Sequence, residues 1–300
     1  MPKTANQWEF GVPDGRHLKT IHGLITTPEF SLTRERLEQM EQVIVVSAYG
    51  TGYDYIDVDA ASNFGILVTR TPDAVVSATA ELGLTFIMAL MRQIVPHDVA
   101  MRAHSGLIPV PLAHDAHHQV VGIIGYGRIG RELAKLLKPI GFDIMYTREH
   151  GPWHDHPGFV GISDLLVSAD FVVVATPLTR RTRHLIGKDA LQRMKPTAYL
   201  INIGRGACVD EEALVRVLQV DGIAGAALDV FEDEPRITEG LESLPNVILS
   251  PHVGTRTWET RARMTRDAFD NIEAGLKGFA DDGKAVNMES WARRPVSGWV

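Results

Sequence analysis

The sequence predicts an α/β fold in which a parallel sheet is covered by helices, and three observations lead there. Short apolar runs alternate with stretches of helical periodicity, no repeat or low-complexity segment interrupts them, and a glycine-spaced turn joins the clearest run to an amphipathic stretch. A chain of 300 residues has room for two domains of about 100 to 200 residues each.

The strands expected from the apolar runs are Val43 to Ser47, Val120 to Gly125, Asp143 to Tyr146, Asp170 to Ala175, Ala198 to Ile203, Gly225 to Val230 and Val247 to Ser250. Ala78 to Arg92 is apolar on most sides and predicts a buried helix, with Pro96 breaking the pattern after it. Arg128 to Lys138 places Ile129, Leu133, Leu136 and Leu137 at helical spacing, and Pro139 and Gly141 punctuate its end. His104 to Gln119 has two prolines and no periodicity, and is expected to link two domains. A domain boundary is therefore placed near this segment. His114, His117 and His118 lie in that linker beside one aspartate, a spacing that fits a solvated loop better than a metal site, so no metal is expected.

A formal charge of -7 at neutral pH opposes broad attraction to nucleic acid or to anionic lipid, both of which call for a basic face. The pairs Arg180-Arg181 and Arg293-Arg294 read as solvated surface. Cys208 is the one cysteine, so no intrachain disulfide can form, which suits a reducing, cytoplasmic setting. The first 20 residues hold no apolar signal core, and no apolar run of membrane-spanning length occurs, so neither a secretory leader nor a membrane partner is expected.

Gly125, Gly127 and Gly130 follow an apolar run and open a helix, the context that gives a G-x-G-x-x-G pattern its meaning. The first glycine permits the tight turn, the second lets a pyrophosphate approach the backbone, and the third lets helix pack on strand. The helix N-terminus, here Arg128 and Ile129, offers N–H groups and a positive dipole end to the phosphates. The larger domain is thus read as a Rossmann-like, doubly wound parallel sheet that binds a dinucleotide. After the second strand an NAD site usually carries a carboxylate for the ribose hydroxyls, but here Thr147 and Arg148 stand there. A guanidinium pairs with a 2′-phosphate and a hydroxyl hydrogen-bonds it, so NADP(H) is favoured over NAD(H), with Glu149 next door arguing the other way.

Arg205 in "INIGRGACVDE", Glu234 in "ALDVFEDEP" and His252 in "LSPHVGT" follow later strands, where ligands bind in open parallel sheets. With these stretches, "SAYGTGYDYIDVDAASNFGILVTRTP", "TAELGLTFIMALMRQI", "VGIIGYGRIGRELAKLLKPIG", "ATPLTRRTRHLIG" and "MKPTAYLINIGRGACVDEEAL", the chain resembles the D-isomer-specific 2-hydroxyacid dehydrogenase family, of the glyoxylate/hydroxypyruvate reductase type, over roughly Ile44 to Asn287. The resemblance implies a second, smaller and discontinuous flavodoxin-like α/β domain for the substrate, residues 1–100 and 277–300, beside a dinucleotide-binding domain of residues 101–276, and hydride exchange between a nicotinamide cofactor and a small D-2-hydroxy acid or 2-oxo acid. It implies that Arg205 grips the substrate carboxylate and polarises the carbonyl, that His252 moves the hydroxyl proton, and that Glu234 orients and charges the imidazole. It further implies that Gly50, Thr51 and Gly52 cradle the substrate carboxylate, that Thr176, Ile203 and Asp229 line the cofactor, and that the protein is a homodimer.

The chain departs from the resemblance in three places. Residues 1 to 20 are too few and too irregular to supply the further strand-helix unit expected ahead of the glycine loop, so either the sequence starts late or the small domain is shortened at its amino end, leaving a sheet edge open or the outer wall of the substrate cleft weaker. Arg256 and Trp258 stand just after His252, where they reach toward substrate or a neighbouring subunit or simply begin a surface helix. The linker ahead of Val120 is compressed and lacks a tryptophan. Two other activities share this outline: a dinucleotide-sensing protein resembling transcriptional corepressors, against which the intact Arg205, Glu234 and His252 argue, and a phosphite- or formate-type dehydrogenase.

Overall fold

In the computed structural model, which describes residues 17–103, 112–153 and 156–292, the chain forms one three-stranded and one six-stranded parallel sheet. Each sheet belongs to its own compact unit, one spanning Val76–Thr257 and the other made of the residues before and after it.

The flanking unit opens with β1 (Gly23–Thr26), α1 (Arg34–Glu38), β2 (Val45–Ala48), α2 (Val58–Asn63) and β3 (Leu67–Arg70), and its strands lie in that same order. Every side chain of β2 is buried, as expected of a central parallel strand covered on both faces. Asp57 starts α2 by accepting the Ala60 N–H at 2.8 Å.

The larger unit contains α3 (Val76–Met91), α4 (Ile94–Ala103), β4 (Val120–Ile124), α5 (Arg128–Leu137), β5 (Asp143–Thr147), α6 (Ile162–Ser168), β6 (Phe171–Val174), α7 (Lys188–Leu191), β7 (Tyr199–Asn202), α8 (Glu211–Gln219), β8 (Gly225–Leu228) and β9 (Val247–Leu249). Its strand order is β5-β4-β6-β7-β8-β9, so the winding reverses between β4 and β6 and opens a crevice at their carboxyl ends. Adjacent residues serve opposite faces: Ile124, Val172, Leu200 and Leu228 pack with Leu165 and Leu214, while Ile123, Phe171, Ile201 and Ala227 pack with Phe86, Leu133 and Leu137.

The chain then returns through α9 (Trp258–Leu276) and α10 (Met288–Ala292) to the flanking unit, where Ile272 and Trp291 pack with Val45 and Leu67. The outer edge of β3 is not bare. Val286 N–H donates to Val68 O at 2.8 Å and Arg70 N–H to Lys284 O at 3.0 Å, while Asn287 Oδ1 accepts from Val68 N–H at 2.8 Å. These bonds concern the β3 edge alone; the other edge of the sheet is β1, and residues 1–16, on which the expected shortening and open edge rest, lie outside the described residues.

The units part at Val75/Val76 and Thr257/Trp258, not near residues 100 and 276 as the sequence suggested. Helix α3 joins the larger unit because Phe86, Ile87, Leu90 and Met91 share a core with α5, and α9 joins the other because Ile272 is buried against β2 and β3. The expected boundary at His104 to Gln119 falls partly on residues 104–111, outside the described residues, and His114 to Gln119 form no helix or strand. Strands β1 and β3 were absent from the strands expected. No single helix among the described residues is long and apolar enough to cross a membrane, and α3 belongs largely to the core.

Candidate functional site

The β4–α5 turn is built around three glycines with different constraints. Gly125 has φ +99°, and a Cβ there would lie 2.6 Å from Ala175 O; one on Gly130 would run into Gly125 O. Both are glycines because the protein itself leaves no room. Gly127 is different: it has φ −86° and a Cβ there would meet no atom within 4 Å. Nothing in the fold demands a glycine at that point, whereas a pyrophosphate laid along the first turn of α5 does, so these residues fit a dinucleotide. Arg128 is exposed at the start of α5, and Ile129 is partly buried.

Thr147 ends β5, and its carbonyl accepts the Gly125 N–H at 3.0 Å, which ties the second strand to the glycine turn. Among the described residues the Arg148 guanidinium makes no hydrogen bond or ion pair; it stacks on Trp153, 4.8 Å from the ring centroid. Arg131 lies 4.2 Å from the same ring and donates its Nε–H to Gly127 O at 3.1 Å. The indole thus gathers two guanidiniums beside the glycine turn. Its loop is held by Tyr146 Oη, which accepts the Trp153 N–H and donates to His156 O, each at 2.9 Å. The Glu149 carboxylate is paired with Arg181 and so is engaged elsewhere. Sequence reasoning reached Thr147 and Arg148 but missed Arg131 and Trp153, because the aromatic arrives from a loop whose course no local pattern reveals.

Thr176 follows β6 and its carbonyl neighbours Gly204. Ile203 is buried, its side chain packed beside Gly83 in the α3–α5 core, so only its backbone remains to face a ligand.

Arg205, Glu234 and His252 follow β7, β8 and β9, three neighbouring strands, at their carboxyl ends. Asn202 shapes the Arg205 turn by donating Nδ2–H to Arg205 O at 3.0 Å and accepting the Gly204 N–H at 3.1 Å. Gly206 then packs flat on the Phe231–Glu232 peptide, where a Cβ would overlap backbone, and this contact locks the Arg205 turn to the loop that carries Glu234.

His252 Nδ1 lies 2.9 Å from Glu234 Oε2. The carboxylate accepts the Nδ1–H, which leaves Nε2 to exchange a proton with a ligand. Burial opposes the charged form of Glu234. The hydrogen bond and charge of His252, the Phe231 N–H and the charge of Arg205 together outweigh that effect and hold the carboxyl below its ordinary range. His252 has φ +50°, a conformation unusual outside glycine, and its N–H is anchored to Asp229 O at 2.8 Å. The buried Asp229 carboxylate accepts from Ser250 Oγ at 2.5 Å and from Val253 N and Gly254 N at 2.8 Å each. Asp229 therefore organises the histidine loop through three accepted hydrogen bonds.

Glu211, which sequence reasoning passed over, braces the other loop. The buried Glu211 accepts the Glu232 N–H at 2.6 Å and the Thr238 hydroxyl at 2.5 Å, holding both sides of Glu234. Burial raises its pKa; the two hydrogen bonds offset this in part, and the nearby charges of Glu232 and Glu234 add to it. A raised value in the folded state means that the contribution to stability is full below the unfolded pKa and is lost as pH rises through the folded value. Glu211→Gln, which keeps an acceptor for the Glu232 N–H, is therefore expected to lose less melting temperature than the parent between mildly acidic and mildly alkaline pH. Parallel Tm curves would contradict this.

Gly50, Thr51 and Gly52 form the turn after β2 in the flanking unit, with Gly50 at φ +147°. Among the described residues no three His, Cys, Asp or Glu side chains are placed to hold a metal ion.

Residues 84–254 match the family model of the NAD binding domain of D-isomer specific 2-hydroxyacid dehydrogenases. The glyoxylate reductase of Thermococcus gammatolerans is 39% identical over 272 residues, covering 87% of this chain and 81% of that protein. The NADPH-dependent glyoxylate/hydroxypyruvate reductase of Sinorhizobium meliloti, solved with NADP and malonate, superposes with a TM-score of 0.85 at 31% identity, over 93% of this chain and 88% of that one. The NAD-dependent formate dehydrogenase of Staphylococcus aureus, solved with NAD, gives a TM-score of 0.81 at 27% identity, over 91% and 84% of the two chains.

Proposed function

The chain belongs to the D-isomer-specific 2-hydroxyacid dehydrogenase family, and from that premise we propose that it is an NADP(H)-preferring reductase of small 2-oxo acids. The observation that supports this most directly is the His252–Glu234 pair beside Arg205, on the same sheet edge as the glycine turn. When bound, the nicotinamide supplies the hydride that reaches the carbonyl carbon.

The chain's own residues do the rest. Arg205 offers a planar cation to the carboxylate and to the developing negative charge on the carbonyl oxygen. His252 delivers the Nε2 proton to that oxygen, and in the oxidative direction takes it back. Glu234, held ionised, stabilises the imidazolium that must exist before each reduction and keeps the ring from turning. Gly125, Gly127, Gly130, Arg128 and Ile129 are proposed to seat the pyrophosphate, and Thr176, Asp229 and the Ile203 backbone to border the nicotinamide. The Gly50–Gly52 turn is proposed to offer N–H groups to a carboxylate.

Preference for NADP(H) rests on Arg148: a guanidinium without a carboxylate partner among the described residues, stacked on Trp153 beside the glycine turn, matches a 2′-phosphate. Glu149 pairs with Arg181, which supports reading Arg148 and not Glu149 as the residue that meets the adenosine ribose. A homodimer is proposed on α4, where Ile94, Val95, Val99 and Met101 are all exposed, with Trp258 nearly bare as a further contact candidate. A cytoplasmic location fits the lone buried Cys208.

The test is oxidation of NADPH and NADH with a panel of small 2-oxo acids, including glyoxylate, hydroxypyruvate and pyruvate. Turnover of at least one acid is expected. Cofactor binding without turnover of any acid would overturn the reductase and favour a sensing protein.

A further inference from the structure

Strand β3 ends on a cation that the fold does not neutralise. Among the described residues Arg70 has no carboxylate within salt-bridge distance and no side-chain hydrogen bond, and its Nε–H is shielded from solvent without a partner. Its backbone is fully committed, N–H to Lys284 O and carbonyl to Asn271 Nδ2, both at 3.0 Å, so the strand end cannot swing away. The guanidinium carbon sits 5.6 Å from the ring centroid of Tyr53, the residue that follows Gly52. The next residue, Thr71, also has a buried hydroxyl without a partner, and its N–H donates to Gly50 O at 2.9 Å. Across that bond lies the turn itself. The N–H groups of Thr51 and Gly52 make no hydrogen bond among the described residues, and a Cβ on Gly50 would meet nothing within 4 Å.

A guanidinium N–H and a hydroxyl left unsatisfied in adjacent buried positions are costly, and proteins keep such groups where a ligand completes them. An unpaired cation beside free backbone N–H groups at the carboxyl ends of parallel strands calls for an anion. Resting on the reading of this chain as a 2-oxo-acid reductase, we propose that Arg70 is a specificity-determining residue that pairs with a carboxylate of the substrate, in concert with the Thr51 and Gly52 N–H groups. Arg70 was not singled out in the sequence, where "VTRTP" lies outside the strands expected.

The test compares the parent with Arg70→Met and Arg70→Lys, using oxalate as a planar stand-in for the acid and oxidised cofactor present throughout. Calorimetric titration is expected to show oxalate affinity reduced about 10- to 100-fold in the Met variant, as for loss of a charge-assisted hydrogen bond, and partly restored by Lys. KM for the preferred 2-oxo acid is expected to rise by a similar factor with kcat changed far less. Without oxalate the Met variant should melt at or above the parent temperature, because an uncompensated cation has been removed, and it should lose the stabilisation that oxalate confers. A Met variant that melts lower on its own and binds oxalate like the parent would show Arg70 to be structural and overturn the proposal. Kinetics with glyoxylate, which has one carboxylate, and 2-oxosuccinate, which has two, identify the group recognised: equal KM increases point to the carboxylate next to the carbonyl, and an increase confined to the dicarboxylate points to the second. If the parent turns over no 2-oxo acid the reductase reading fails, while the oxalate titration still decides whether Arg70 binds a carboxylate.

Discussion

Replacing His252 with phenylalanine is expected to lower kcat for 2-oxo-acid reduction by about two to four orders of magnitude, the usual contribution of a positioned general acid. Binding of the oxidised cofactor should change by less than about twofold, since the contacts proposed for the dinucleotide arise from β4, β5 and α5 and from the ends of β6, β7 and β8, and none from the His252 side chain. The expectation follows from the 2.9 Å pairing of Nδ1 with Glu234, which leaves only Nε2 for the reacting oxygen. The backbone supports the same role, for His252 is held at φ +50° by its bond to Asp229 O, a strain that a loop without a task has no reason to keep. Glu234→Gln should retain more activity than His252→Phe, because a neutral amide still orients the ring through an accepted Nδ1–H but no longer offers it a negative charge. Stopped-flow measurement of cofactor oxidation checks both. A phenylalanine variant within about tenfold of the parent would remove His252 from the chemistry.

Arg148→Asp is expected to lower the NADPH-to-NADH ratio of kcat/KM by about 100-fold. Loss of a charge-assisted hydrogen bond to a phosphate accounts for about 1.5–3 kcal/mol, and the new carboxylate adds repulsion of the 2′-phosphate while accepting from the ribose hydroxyls of NADH. Trp153→Ala should move the ratio the same way by a smaller amount, because it frees the Arg148 and Arg131 side chains that the indole now holds. Kd values for NADP and NAD from calorimetry give the same comparison without turnover. Unchanged ratios in the aspartate variant would show that Arg148 is a surface cation.

Much of the architecture could be read from local patterns. The glycine turn, the strands of the larger sheet and helices α3 and α5 all have signatures confined to a few turns of chain, and each lies where expected. Two strands of the smaller sheet escaped notice for opposite reasons. Gly23–Thr26 is short and begins on glycine, and Leu67–Arg70 runs directly into polar residues, so neither presents a sustained apolar run. The division into units was misplaced because helical periodicity reports that a face is buried without reporting against what. Phe86 and Leu90 on α3, and Ile272 on α9, look alike in sequence and pack in different units.

The site divides along the same line. Arg205, Glu234 and His252 are weak signals taken singly, and they become legible as an ordered set after three apolar runs, together with the glycine turn and the family resemblance. Their supports are not legible in this way: Glu211 braces the Glu234 loop from 23 positions upstream of it in the chain, Asp229 shapes the turn of His252, and Gly206 lies against Phe231, all through contacts that exist only after the strands have paired. Side-chain chemistry is a property of the residue and travels with the sequence. Whether a charge finds a partner is a property of neighbours, which is why, among the described residues, Glu149 pairs with Arg181 while Arg148 and Arg70 lie over aromatic rings without a carboxylate.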